Sequence, residues 1–467
     1  MTTAQGLRKS SKPYSNPNPC WEEKPMPPIL NLKPEEVDTN EKRSKYTVSV
    51  IGCGHKGIFY GNAFAEAGYR VICTDADPTV IKKVSKGRTG SSSSQVEAKL
   101  KSYITSGKIS VSSERNKAVS QSDVVLIAIG AKVDKQKKTD FSKIVSACKQ
   151  VGAGLQKGAL VIYSGVAGIG FTENTVKETL ENTSGLKVGT DFILAYNPIL
   201  TTEASAVDME LKVAATDQTS LTASSTLLRT ITRKVKEIDD IKSAETAALF
   251  AATKQDVNRA LANELAVFCE NAKIDYFKAI KCLGINEPSF LPSTAEEENR
   301  NEAYLLLDCA ENLNVKLRLP SLSRQINEDM VKHAVNLTQD ALRNIGKPLR
   351  RARVAVLGTA NPTTATGVFV KMLEQKGAKP TLYDPDFKTM SQEWSVVKPN
   401  LNEAVEGADC IVIMTGQDQF KNFNLKKLKP LMKTPSAIVD LTGIYDPKKV
   451  EAEGFKYFGL GRGIDKN

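Results

Sequence analysis

The chain is short of the residues that several chemistries require. Only two of its 467 residues are histidine, His55 and His333, which excludes a histidine-rich metal centre. Its eight cysteines are scattered, with no CxxC pair and no disulfide-like cluster, a pattern of the reducing cytoplasm. No apolar run approaches the roughly 18 residues of a membrane span. The N-terminus is polar and Pro-rich rather than signal-like. Basic and aromatic residues are not interleaved as nucleic-acid binding would require. Glycine is missing altogether from Ile285 to Ile345. What remains is ordinary for a globular chain, with 41% apolar and 25% charged residues and length enough for two or three domains. The net charge of +11 suits an anionic ligand, and equally a bland lysine-rich surface.

One stretch stands out against this background. Tyr46–Ile51 is β-branched and reads as a buried strand, and it stops at Gly52-Cys53-Gly54-His55-Lys56-Gly57 before a helical pattern that runs through Ala67. In G-x-G-x-x-G the first glycine permits the tight turn, the second lets a pyrophosphate approach the backbone, and the third lets helix pack on strand. Free N–H groups at the helix start then face the phosphates. A second strand, Tyr69–Thr74, ends on Asp75, where an acid holds a ribose 2′-hydroxyl and selects NAD over NADP. His55 and Lys56 are either ligands of the cofactor, Lys56 at the pyrophosphate, or exposed loop residues.

The rest of the chain divides by pattern. Residues 1–44 hold many Pro, Asn, Lys and Glu and read as an extended or disordered arm, pinned at Trp21 and Ile29-Leu30. Residues 45–235 alternate strands and helices, with strands at Val124–Ile129, Ala159–Tyr163 and Phe192–Ala195, which predicts a parallel sheet covered by helices. Residues 236–345 are a helical connector. One helical pattern from Ser243, a candidate cap, to about Ile280 is long enough to bridge domains or form a dimer seam. Further helix is expected over 296–312 and 321–344. A second α/β unit fills 346–467, with strands at Arg353–Gly358, Pro380–Asp384, Cys410–Met414 and Ala437–Asp440. The expected fold is α/β: two Rossmann-like doubly wound domains joined by a long central helix and helical connector.

Several segments together resemble the UDP-glucose/GDP-mannose dehydrogenase family over residues 45–463. They are the glycine loop with Asp75, the stretch that ends at Gly130, Ala195-Tyr196-Asn197-Pro198, Glu245 with Asn263-Glu264, Arg324–Met330, Tyr383-Asp384-Pro385, Met414-Thr415-Gly416, and Gly461-Arg462-Gly463. The resemblance implies an NAD-dependent enzyme of polysaccharide biosynthesis that oxidises a nucleotide sugar and dimerises through its central helix. It implies no nucleic-acid or membrane partner. It also carries Gly130 and Ser164 over as cofactor-side positions.

The family's two-step oxidation of an alcohol to a carboxylate uses a cysteine that traps the aldehyde as a thiohemiacetal. A lysine, an asparagine and a glutamate surround the oxyanion. This chain departs from that pattern throughout. The cysteine loop has no cysteine, and the position falls near Glu297. The lysine aligns with Ala248 and the asparagine with Ala252. The glutamate and arginine of the Y-x-P turn become Ile199 and Leu200. The sugar-binding arginine motif becomes Thr359–Thr366, the Ser-Thr motif becomes Ser164-Gly165, and the Thr-Pro pair becomes Ala131-Lys132.

Weak substitutes exist. Cys282 is the nearest spare thiol, or a helix-end residue with a packing role. Cys309 reads as core, and Cys53 lies where an intermediate would strike the cofactor. Lys254 sits roughly 240° around the helix from Ala248 and faces elsewhere. Asn263 either contacts substrate or joins helices. Glu297, in the run Glu296–Glu298, is either a general base or part of a solvated helix start. The run from Lys132 to Lys138 is a solvated loop on the ligand side of the sheet.

Three functions follow. The first is an NAD-dependent oxidoreductase acting on a CH–OH group of an anionic, nucleotide-sugar substrate by two-electron exchange without the thiohemiacetal. The second is a non-catalytic paralog that binds NAD or a nucleotide sugar as a sensor or partner subunit. The third is a β-hydroxyacid-type dehydrogenase, against which the second α/β domain speaks.

Overall fold

In the computed structural model the residues described are 29–89, 94–134, 136–198, 206–285, 290–294, 302–362, 364–385 and 395–463. The alternating pattern forms two sheets. The first contains β1 (Thr47–Ile51), β2 (Arg70–Thr74), β3 (Ile109–Ser112) and β4 (Val124–Ile127); a short hairpin, β5 (Lys132–Val133) and β6 (Thr139–Asp140), stands apart from it. The sheet continues with β7 (Leu160–Tyr163), β8 (Ile193–Tyr196), β9 (Glu210–Ala215) and β10 (Lys234–Glu237). Its order is β10-β9-β8-β7-β4-β1-β2-β3. From β3 to β8 all pairings are parallel; β9 joins β8 antiparallel, and β10 joins β9 in parallel. Strand order reverses beside β1, so a crevice opens there at the carboxyl ends of the strands. β1, β4, β7 and β8 are buried along their whole length, as a sheet covered on both faces demands.

The second sheet has β11 (Arg353–Leu357), β12 (Lys379–Tyr383), β13 (Cys410–Ile413), β14 (Ala437–Asp440) and β15 (Lys456–Gly459). Its order is β12-β11-β13-β14-β15, all parallel. It is a doubly wound order with its own crevice between β11 and β13. The first sheet extends to Glu237, two residues past the boundary expected at 235.

The long helical pattern is two helices. The central helix is Ile241–Asn271, and Tyr276–Cys282 follows a break at Lys273, whose φ is +57°. Its cap is Asp240, whose side chain accepts from the Ser243 N–H at 2.7 Å, so Ser243 is the third residue of the helix rather than its cap. A second long helix, Arg318–Asn344, packs along the central one, and the shorter Glu302–Asn312 also lies against it.

The arm is held at Ile29, where a pin was expected, and its second half is anchored further along than an extended or disordered segment would be. Ile29, Leu32 and Val37 are buried in the core beneath the first sheet, and the Ile29 N–H bonds the Gly158 carbonyl at 3.1 Å. Three apolar anchors outweigh the Pro-rich composition around them. Trp21 lies outside the described residues.

Candidate functional site

The glycine loop forms a cradle. Gly52 closes β1 with φ at +99°, a left-handed conformation suited to glycine, and its N–H bonds the Thr74 carbonyl at 2.8 Å. A Cβ at Gly57 would stand 1.8 Å from the Gly52 carbonyl oxygen, so helix and loop meet only because that residue has no side chain. Gly54 is the opposite case, for a Cβ there would meet nothing within 4 Å. Gly54 caps the helix His55–Glu66 and supplies no side-chain bond to it, which leaves the first-turn N–H groups for an anion. Asp75 takes the Cys53 N–H at 2.7 Å on one oxygen and the Asp77 N–H at 3.0 Å on the other. Each oxygen keeps further lone-pair capacity, so ribose hydroxyls fit the same carboxylate. Open backbone, uncapped helix and anchored acid together fit a dinucleotide. His55 is exposed in the first turn. Lys56 makes an ion pair at 3.1 Å with Glu302, the first residue of the helix Glu302–Asn312.

The loops after β4 and β7 line the other half of the crevice. The Ala131 N–H bonds the Val166 carbonyl at 2.9 Å, and Gly130 lies against the same oxygen, 3.4 Å from where its Cβ would be. Ser164 is fully buried. Its hydroxyl meets the Tyr60 hydroxyl at 2.9 Å and donates to the Asn197 carbonyl, and Tyr60 also donates to the Asn197 side chain. That hydroxyl is therefore engaged beneath the loop rather than presented at the surface. Neither Tyr60 nor the side-chain role of Asn197 was visible in the motif, because their partners are 104 and 137 residues from Tyr60.

The residues that the sequence singled out for chemistry are placed as follows. Ala248 is buried in an apolar cluster with Val166, Leu249, Leu305 and Leu306. Asn263 is fully buried with both ends engaged: its amide donates to Asn327 at 2.9 Å and its oxygen accepts the Ser293 N–H at 2.9 Å. It joins two helices and a loop. Lys254 is exposed. Cys282 is exposed at the end of its short helix. Cys309 is half-buried, its sulfur 3.5 Å from where a Cβ of Gly168 would be. Cys53 is buried, and a hydrogen bond with Cys73, followed by burial, pushes its thiol well up, which disfavours the thiolate. Glu297 and its neighbours, Ile199 and Leu200 lie outside the described residues. Among the described residues no group of His, Cys, Asp and Glu could hold a metal ion.

The lysine-rich run is not simply solvated. It forms the β5–β6 hairpin, and Lys137 pairs with Glu328 at 2.9 Å, Lys138 with Glu311 at 3.0 Å, and Thr139 donates to Asp308 at 3.0 Å. The hairpin thus ties the first domain to the connector.

The second crevice repeats part of the first. The Gly358 N–H bonds the Tyr383 carbonyl at 3.1 Å, and the Ala360 N–H bonds Asp384, just past β12, at 2.8 Å. At its mouth Thr364 caps the helix Ala365–Gln375 with its own side chain, accepting from the Gly367 N–H at 3.4 Å. The C-terminal Arg462 pairs with Asp275 at 2.6 Å and covers the Phe277 ring.

Comparison with known proteins agrees with this architecture. Residues 46–216 match the NAD binding domain of the UDP-glucose/GDP-mannose dehydrogenase family, and residues 364–447 match its UDP binding domain. A UDP-N-acetyl-D-mannosamine dehydrogenase from Pyrococcus horikoshii is 27% identical over 433 residues, covering 89% of this chain and 99% of that protein. A UDP-glucose 6-dehydrogenase from Rhizobium meliloti is 26% identical over 450 residues, covering 89% and 99%. The solved structure of the Pyrococcus horikoshii UDP-D-ManNAc dehydrogenase superposes with a TM-score of 0.74 at 26% identity, covering 89% of this chain and 99% of that one.

Proposed function

The chain belongs to the UDP-glucose/GDP-mannose dehydrogenase family, and from that premise we propose that it oxidises a CH–OH group of a nucleotide sugar by a single two-electron step. Bound NAD supplies the hydride acceptor for such a step. The glycine loop would hold its pyrophosphate, Asp75 its ribose, and the second crevice the nucleotide of the substrate. The observation that carries the reading is the pairing of an open dinucleotide cradle with Ala248 packed among Leu305 and Leu306, where the resemblance expects a lysine. An oxidation that stops at the carbonyl needs no sulfur to hold it.

The same apolar packing favours a second reading, a non-catalytic subunit that binds NAD or nucleotide sugar. Incubation with NAD and a panel of UDP- and GDP-sugars, followed by absorbance of the reduced cofactor, separates the two. One reduced cofactor per sugar is expected. Two per sugar overturn the single-step proposal, and cofactor binding without turnover on any sugar establishes the second reading.

The chain is also proposed to be a homodimer. Phe250, Leu261 and Phe268 of the central helix are 60%, 46% and 63% exposed, large apolar groups for a helix in the middle of a chain. Phe268→Asp is expected to shift the sedimentation coefficient toward that of a single chain. A monomeric unaltered protein would refute this.

A further inference from the structure

The cation missing from the central helix has a counterpart on another element. Lys56 stands in the first turn of the glycine-loop helix, and Glu302 opens the helix Glu302–Asn312; their 3.1 Å ion pair is about three-quarters buried, with side-chain exposures of 23% and 22%. The pair joins residues 246 positions apart.

Its place in the crevice follows from the sheet order. Asp75 marks the adenosine half, over β2. The nicotinamide half must then lie across the order reversal, over β4, β7 and β8. The helix of Glu302 covers that half. Leu305 and Leu306 pack on Val166 and Ala131, from the loops after β7 and β4. Burial first, and then the charges of Glu245 and Glu302, push up the phenol of Tyr196, the last residue of β8. Ala248 packs against the same Leu305 and Leu306, one turn along from Glu302. The empty lysine position and Lys56 therefore face one helix from two sides.

We propose that Lys56 and Glu302 are the acid–base pair of the oxidation, a proposal that rests on the single-step reading above. The substrate C–H bond breaks with its electron pair, which passes to NAD; the O–H bond breaks and its proton passes to Glu302; the C=O bond forms. The alcohol is oxidised and NAD is reduced. The Lys56 ammonium stabilises the oxygen as its negative charge develops, the role a charged donor plays where it is placed before the reaction.

Cofactor binding tests the placement without any turnover. NAD carries a positive ring and NADH a neutral one. Lys56→Met leaves the Glu302 charge alone beside the ring, so NAD should tighten relative to NADH by at least about fivefold, the scale of one unit charge about 4 Å away under full water screening. Glu302→Gln leaves Lys56 alone and should shift the same ratio the opposite way. ADP-ribose has the pyrophosphate but no ring, and its affinity should change by less than about twofold in both variants; this also shows that they are folded. Turnover should fall at least ~100-fold in each. An unchanged NAD/NADH ratio in both variants overturns the proposal. So does a loss of ADP-ribose binding in step with NAD in Lys56→Met, which would make Lys56 a pyrophosphate ligand, or turnover within tenfold of the unaltered protein. Failure of the unaltered protein to turn over any sugar brings down the single-step reading and the proton step together.

Discussion

The two α/β domains share a scaffold and differ at the mouth of their first helix. In each, a glycine after the first strand bonds the carbonyl that ends the second strand, Gly52 to Thr74 and Gly358 to Tyr383. In each, an aspartate just past the second strand receives a loop N–H, Asp75 from Cys53 and Asp384 from Ala360. The first helix then begins at Gly54 with no side chain across its N–H groups, while the second begins at Thr364, whose hydroxyl takes one of them, the Gly367 N–H. A helix start has four free N–H groups, and a capping side chain takes one of them. Where the chain supplies that acceptor, the site has less to offer a phosphate; where a bare glycine stands, the phosphate takes its place. One architecture thus yields two recognition modes through a single residue at the cap.

Glycine substitutions would break this comparison most severely. A methyl group at Gly57 would lie 1.8 Å from the Gly52 carbonyl, and one at Gly367 would lie 2.5 Å from Pro362. Both contacts are with backbone, so neither can relax by a rotamer change. Gly57→Ala is expected to weaken NAD at least ~100-fold, about 2.7 kcal/mol, and to leave binding of a UDP-sugar intact. Gly367→Ala should do the reverse. Calorimetric titration of each variant with NAD and with a UDP-sugar would show it, and equal loss of both ligands in either variant would refute separate sites.

The two aspartates offer a finer cut. Asp75→Ala removes a ribose acceptor and also releases the Cys53 and Asp77 N–H groups. NAD affinity should fall roughly tenfold, about 1.4 kcal/mol, and discrimination against NADP should narrow because a negative charge has gone. Asp384→Ala should leave NAD affinity within twofold. Fluorescence titration with both cofactors decides it; an Asp75 variant that still excludes NADP as strongly as before would place the ribose elsewhere.

The parts that local chemistry determines could be read from the sequence. β1, its glycines and Asp75 are contiguous or nearly so, and four of the second sheet's five strands stood at the expected places because buried parallel strands leave continuous apolar runs, whereas the edge strand β15, half-buried in alternation, left none. The connector was harder. The break at Lys273 rests on one left-handed residue that no pattern announces, and Asp240 took the cap from Ser243 by lying three residues earlier. Ile29 was expected to pin the arm, but burial of Leu32 and Val37 was masked by the polar residues between them. Above all, the Lys56–Glu302 pair and the Tyr60–Ser164–Asn197 cluster depend on chain segments that only the fold brings together.

The smallest expected effect concerns how the domains are fastened to the helix they share. Glu245, near one end of the central helix, takes the Gly170 and Thr172 N–H groups and the Thr172 hydroxyl at 2.5, 2.8 and 2.6 Å. Glu270, near the other end, takes the Gly461 N–H at 2.8 Å and meets His333 at 2.9 Å. The first domain is held by a carboxylate sealed from water and the second by one at a wetter junction. Burial raises the Glu245 carboxyl above its ordinary value, although the Thr172 and Gly170 bonds pull the other way. A raised native value means that the folded chain holds its proton over a pH range in which the unfolded chain has lost it. Stability from this group is therefore complete below the unfolded carboxyl value and is lost as pH rises through the native one. Glu245→Gln lacks that titration. The denaturant midpoint of the unaltered protein should fall more steeply than that of the variant as pH rises from about 4 through the raised carboxyl value. Parallel curves for the two proteins would show that the three donors fully offset burial at Glu245.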